Sequence, residues 1–209
     1  MPAEATISGF VAIVVQPDAV TIRAAYEHAA ASMPQAAEQT LAPGALPHIT
    51  LTQCPVRDAP RARMVGYVTR LDAALRGTRI PLRTVIPFGG GFLFWCVEET
   101  SPARALLQLA HEDALTLGDG VLDPIVNARV VEGTKKGTND DPVLVGHAQR
   151  YGYAFVRDRY LPHITLGFDP RVRAGSPSPL EPRAHVMRAE RVVLARMGAL
   201  GRVEHVLTL

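Results

Sequence analysis

Apolar residues recur along the chain with two periods, and the switch between them marks out the elements. Ser8 to Val15 is short and β-branched, which predicts a buried strand. Gln16-Pro17-Asp18 ends it. Asp18 can cap a helix, and Val20, Ile22, Ala25 and Ala29 then follow at helical spacing towards Met33. Leu46 to Gln53 alternates as a strand does. Arg57 to Arg76 places Met64, Val65, Val68, Leu71 and Leu75 at helical positions and is closed by Gly77. Strands at Ile80 to Ile86 and Phe92 to Val97 flank the triple glycine Gly89-Gly90-Gly91, and Ser101-Pro102 opens a helix towards Leu117.

The second half is less regular. Gly118 to Pro142 reads as a long loop with one short strand, and Val143 to Arg150 as a short helix. Leu161 to Phe168 is again a strand. Asp169 to Pro182 is rich in Pro, Gly and Ser and predicts a surface loop. Arg191 to Met197 and Val203 to Leu209 close the chain as two strands about a Gly198–Gly201 turn. Helices and strands alternate, yet several strand pairs are hairpins, so the fold class is α+β with antiparallel sheet rather than a doubly wound parallel sheet. No break in composition suggests a linker, and residues 1–209 are expected to form one domain.

Charge and cysteine content narrow this picture only slightly. The formal net charge is +2. This suits a local basic cleft for an anion and falls far short of a polybasic nucleic-acid coat. Cys54 and Cys96 lack metal-type spacing and predict reduced thiols. The apolar run Phe10 to Val15 is too short for a signal core or a membrane span, so a cytoplasmic protein with no membrane association is expected.

One feature carries chemistry. Pro-His-Ile-Thr-Leu occurs twice, as Pro47 to Leu51 and as Pro162 to Leu166, each copy following a leucine. An identical repeat of this length arises by chance in on the order of a per cent of such chains. Its wide spacing suggests two related lobes rather than a solenoid. In a strand, His48 and Thr50 project from one face while Ile49 and Leu51 point to the other; His163, Thr165, Ile164 and Leu166 repeat the pattern. If the two lobes face each other, two imidazoles and two hydroxyls converge. Cleavage of a phosphodiester without a metal needs a base for the attacking oxygen and an acid for the departing one. An imidazole with an ordinary pKa near 6.5 suits either task, and threonine hydroxyls can hold the non-bridging oxygens.

A lone His-x-Thr on a strand is usually an ordinary packing pair, but packing does not require histidine in both copies. A zinc site lacks its third and fourth ligands, so no metal and no cofactor are expected. His28, His111, His147, His185 and His205 read as surface or packing residues. Gly89–Gly91 opens onto a strand, where a phosphate cradle needs a helix start. Lys135-Lys136, Arg157, Arg159 and Arg171 read as solvated charges. Tyr160, just before the second motif, is a candidate for stacking on a base and equally for packing at the lobe edge.

The paired motifs resemble those of the two-histidine phosphoesterase superfamily, with its 2′–5′ RNA ligase-like and cyclic phosphodiesterase branches. The resemblance extends over nearly the whole chain. It implies a bilobal, duplicated α+β fold with antiparallel sheets lining a central cleft and helices outside. It also implies that His48 and His163 are catalytic and that Thr50 and Thr165 contact phosphate. The expected activity is a metal-independent phosphodiesterase on a nucleotide or RNA phosphodiester of the 2′,3′-cyclic type. A 2′–5′ RNA ligase, or an idle RNA- or nucleotide-binding protein, is the alternative. A nucleotide or RNA phosphate is the expected partner, with no obligatory protein partner evident.

Overall fold

The computed structural model describes residues 5–33, 41, 45–172, 175 and 184–208. Its strands are β1 (Thr6–Pro17), β2 (Ile49–Pro60), β3 (Arg79–Phe88), β4 (Phe92–Val97), β5 (His163–Phe168), β6 (His185–Met197) and β7 (Val203–Val206). The helices among the described residues are α1 (Ala19–Ser32), α2 (Arg61–Leu75), α3 (Pro102–Ala114), α4 (Pro124–Gly137) and α5 (Pro142–Tyr151). Every strand pair is antiparallel, so the class is α+β, as expected.

The strand order is β1-β2-β5-β4-β3-β6-β7, and β6 also pairs with β1, so the first six strands close on themselves. The long β6 makes this possible. Its start, His185 to Arg188, pairs with β3, while Ala189 to Arg196 pairs with β1. One half of the sheet is thus β2-β1-β6-β7 and the other β5-β4-β3-β6. The opposite closure is thin: β2 and β5 meet in the single pair Ile49 with Ile164. Ile49, Leu51, Ile164 and Leu166 join Val11, Ile13, Trp95 and Leu194 in one buried core. The alternate residues Ala12 and Val14 are buried in a second cluster with Val193, Ala195 and Met197, which explains the unbroken apolar run in β1.

Caps set most helix starts. Asp18 accepts from the Val20 and Thr21 N–H groups, both at 3.0 Å. Ser101, Asp123 and Asp141 cap α3, α4 and α5, each followed by a proline at the first helical position. Gly152 ends α5 in the left-handed conformation, φ 76°, in space where an added Cβ would meet Pro55 and Cys54.

Several expectations fail. Gly118 to Pro142 is not a loop with a strand, because Asp123-Pro124 starts the helix α4, which buries none of its residues. The helix expected from Arg57 begins at Arg61, because β2 continues to Pro60 in register with Thr6 of β1. Both motif strands also start later than Leu46 and Leu161, at Ile49 and His163. Most of the Asp169–Pro182 stretch lies outside the described residues. No helix among the described residues is long and apolar enough to cross a membrane.

Candidate active site

The period of two delivers what the repeated pentapeptide promised. The four isoleucine and leucine side chains turn into the core, and His48, Thr50, His163 and Thr165 all line one cavity of about 270 Å³. That volume is on the scale of a small-molecule site.

Each histidine is held by the same local device. The His48 Nδ1 lies 2.7 Å from the Leu46 carbonyl oxygen and the His163 Nδ1 2.6 Å from that of Leu161. A carbonyl only accepts, so Nδ1 carries the hydrogen in both rings. In the neutral form each Nε2 therefore keeps its lone pair. The proline between leucine and histidine favours an extended leucine, with its carbonyl two residues from the ring it binds.

The pKa of both rings is lowered. Burial lowers the pKa of His48, opposed by its bond to the Leu46 carbonyl. His163 is pushed down to about 4, first by burial and then by the neighbouring His48, against the Leu161 bond. Its ring also lies on that of Phe94, centroids 3.5 Å apart and 19° from parallel. Both imidazoles are thus neutral at neutral pH when the cavity holds no anion.

The aromatic wall of the cavity was not singled out in the sequence. Phe88 stacks on Phe94 at 4.8 Å, and Phe155 meets Phe88 edge-on at 5.3 Å, extending the aromatic wall away from His163. Six of the chain's twelve aromatic residues line this cavity. Arg159 lines it too, in a loose 3.5 Å ion pair with Asp158. Tyr160 borders the cavity but is buried, with one ring face against His111 at 3.9 Å and its hydroxyl donating to the Thr50 carbonyl oxygen at 3.0 Å. His111, expected as a surface or packing residue, is fully buried and bonded through both nitrogens.

Lys135 and Lys136 sit in the last turn of α4, where Lys136 pairs with Glu132 at 3.6 Å. Arg171 is engaged with Asp169. Burial drives both cysteine thiols up to about 12, which removes them as nucleophiles. Among the described residues no group of three or more His, Cys, Asp or Glu is placed to hold a metal ion.

No protein-family model matches the chain, and no curated protein matches it in sequence. Solved structures do. E. coli LigT complexed with 3′-AMP aligns over 97% of each chain with a TM-score of 0.51 at 17% identity. E. coli LigT complexed with ATP (15% identity, 97% of this chain and 96% of that one) and TT0787 of Thermus thermophilus (19%, 95% of each) both align with a TM-score of 0.49. At these identities the likeness is one of fold: the chain has a LigT-like α+β fold, in keeping with the two-histidine phosphoesterase resemblance of its motifs.

Proposed function

We propose that this chain is a phosphodiesterase that opens a 2′,3′-cyclic phosphate on a nucleotide or an RNA end, with His48 and His163 as its acid–base pair and no metal in the reaction. The observation that carries the reading is the convergence of both Pro-His-Ile-Thr-Leu copies on one cavity, each ring pinned through Nδ1 and leaving Nε2 for chemistry. Thr50 and Thr165 line the same cavity, and their hydroxyls can donate to the non-bridging oxygens. One neutral Nε2 takes the proton of the attacking water as its oxygen bonds to phosphorus. The other ring, protonated, delivers its proton to the ribose oxygen as the P–O bond breaks. Proton count is conserved over the cycle, with the two rings exchanging states.

The aromatic wall supports a substrate with a base, since Phe88 and Phe155 are half-buried π-surface at the cavity, whereas Tyr160 is buried against His111. The fold neighbour crystallised with 3′-AMP adds support for a nucleotide ligand. The test is turnover of 2′,3′-cyclic nucleotides and of RNA ending in a cyclic phosphate, in the presence of chelator. His48→Ala and His163→Ala should each lower kcat by roughly 10²–10⁴-fold with the fold intact. Near-normal rates in either variant, or loss of wild-type turnover on chelation, would refute the reading.

A further inference from the structure

We infer that Tyr160 and His111 are positioning residues that hold the two motif strands, and hence the two imidazoles, at a fixed separation. The inference rests on the paired-histidine reading of the cavity. Its starting point is the weak seam of the sheet. β1 and β2 pair from Val15–Ile49 to Thr6–Pro60 with two register shifts, whereas β2 and β5 share only Ile49–Ile164. One ladder pair leaves two strands free to hinge about it, and His48 and His163 immediately precede its two members.

Helix α3 bridges this seam. Arg104, Gln108 and His111 stand at i, i+4 and i+7, so they share one helix face. All three grip the turn that leads into His163. The Arg104 guanidinium donates to the Tyr160 carbonyl oxygen at 2.8 Å. The Gln108 amide donates to that of Arg157 at 3.2 Å, and His111 Nε2 accepts from the Arg157 N–H at 2.8 Å. The last bond holds Arg157, a non-glycine residue, in the left-handed region at φ 57°.

The same groups also grip the other motif. His111 donates from Nδ1 to the Leu51 carbonyl oxygen at 2.5 Å, and Tyr160 donates its hydroxyl to that of Thr50. Their rings lie 5° from parallel, so each fixes the other's plane. Two consecutive carbonyls of the first motif are therefore tied to the approach of the second through one stacked pair. A fully buried imidazole bonded through both nitrogens to two separate segments is more than filling a core asks for; a leucine would fill the space. An acid and a base that must flank one phosphorus gain from such a brace, because a displacement of about 1 Å in a reacting group can cost on the order of 10²-fold in rate.

Tyr160→Phe tests this, since it keeps the stacked ring and removes only the hydroxyl. The expected result is a fall of about tenfold in kcat on a 2′,3′-cyclic nucleotide, with KM changed by less than about twofold. The imidazole C–H titrations of His48 and His163 in NMR should shift in the same variant, because rings that part admit water. A purely structural role would lower the melting temperature and move neither kcat nor the titrations. His111→Gln, which removes the stacking partner, should deepen the loss; if it does not fold, Tyr160→Phe still decides. Wild-type kcat together with unchanged titrations in Tyr160→Phe would overturn the inference. Should the wild type turn over no diester, the paired-histidine reading fails and the titrations alone decide whether Tyr160 sets the rings.

Discussion

The desolvation of His163 has a consequence for stability that can be worked through. Its pKa of about 4 in the folded chain compares with an ordinary 6.5, which it regains on unfolding. The folded value is the depressed one, so between these limits the unfolded chain binds more protons. Stability from this group is therefore full above pH 6.5 and is lost as pH falls towards 4. At pH 5 protonation favours the unfolded chain by a factor of about 30, and at pH 7 by only about 1.3, a difference of about 2 kcal/mol. Water entering through the cavity mouth reduces the effect, so this is an upper figure. Urea unfolding of the wild type and of His163→Gln at pH 7 and pH 5 would isolate it, because other titrating groups are common to both proteins. The wild type should lose about 1–2 kcal/mol more than the variant over this interval. Equal losses would show that the ring is hydrated in the fold, and its depressed proton affinity would be refuted.

Two further outcomes are expected. An anionic ligand such as 3′-AMP should raise the pKa of one imidazole on binding, so calorimetry in buffers of different ionisation enthalpy near pH 6.5 should report net proton uptake; heats independent of buffer would contradict neutral resting rings. Gly91→Ala should destabilise the β3–β4 hairpin by about 1–3 kcal/mol, because residue 91 sits at φ 104° and a Cβ there would lie 2.5 Å from the Asp169 carbonyl oxygen; an unchanged melting temperature would refute the close approach.

The features legible in the sequence were those with a local signature. β4 matches its apolar run from Phe92 to Val97, and α1 begins where Asp18 can cap it. The two pentapeptides led to a shared cavity because a strand period of two leaves little freedom in where His and Thr point. Helix α4 was missed although Asp123-Pro124 repeats the signal of Ser101-Pro102. None of its residues is fully buried, and its Val130 and Val131 pack only on the small Leu144–Ala148–Ala154 cluster, so its apolar positions are few and fade before Gly133. The start of α2 was misplaced because β2 outruns its own alternation, held by its pairing with β1, a contact across some fifty positions. The full aromatic wall and the α3 brace were hidden for a similar reason: Phe155 reaches Phe88 of the β3–β4 hairpin, and α3 reaches the turn before β5, only across some fifty to seventy positions of sequence.

The motif also encodes more than its pentapeptide. Each copy is preceded by leucine, and it is the carbonyl of that leucine, two residues back, that takes the Nδ1 hydrogen. Proline favours the extended geometry this requires and contributes no N–H to compete for the carbonyl. Six residues thus specify a ring, its orientation and its tautomer, and the chain writes them twice. Symmetry ends at the surroundings. Phe94 lies on His163, while burial is the first cause of the lowered pKa in both rings. Two identical motifs thus stand in unequal surroundings, and on the proposed mechanism that is where a division between acid and base would arise. A duplicated motif can supply matched geometry, but the division of labour has to come from the neighbours that were not duplicated.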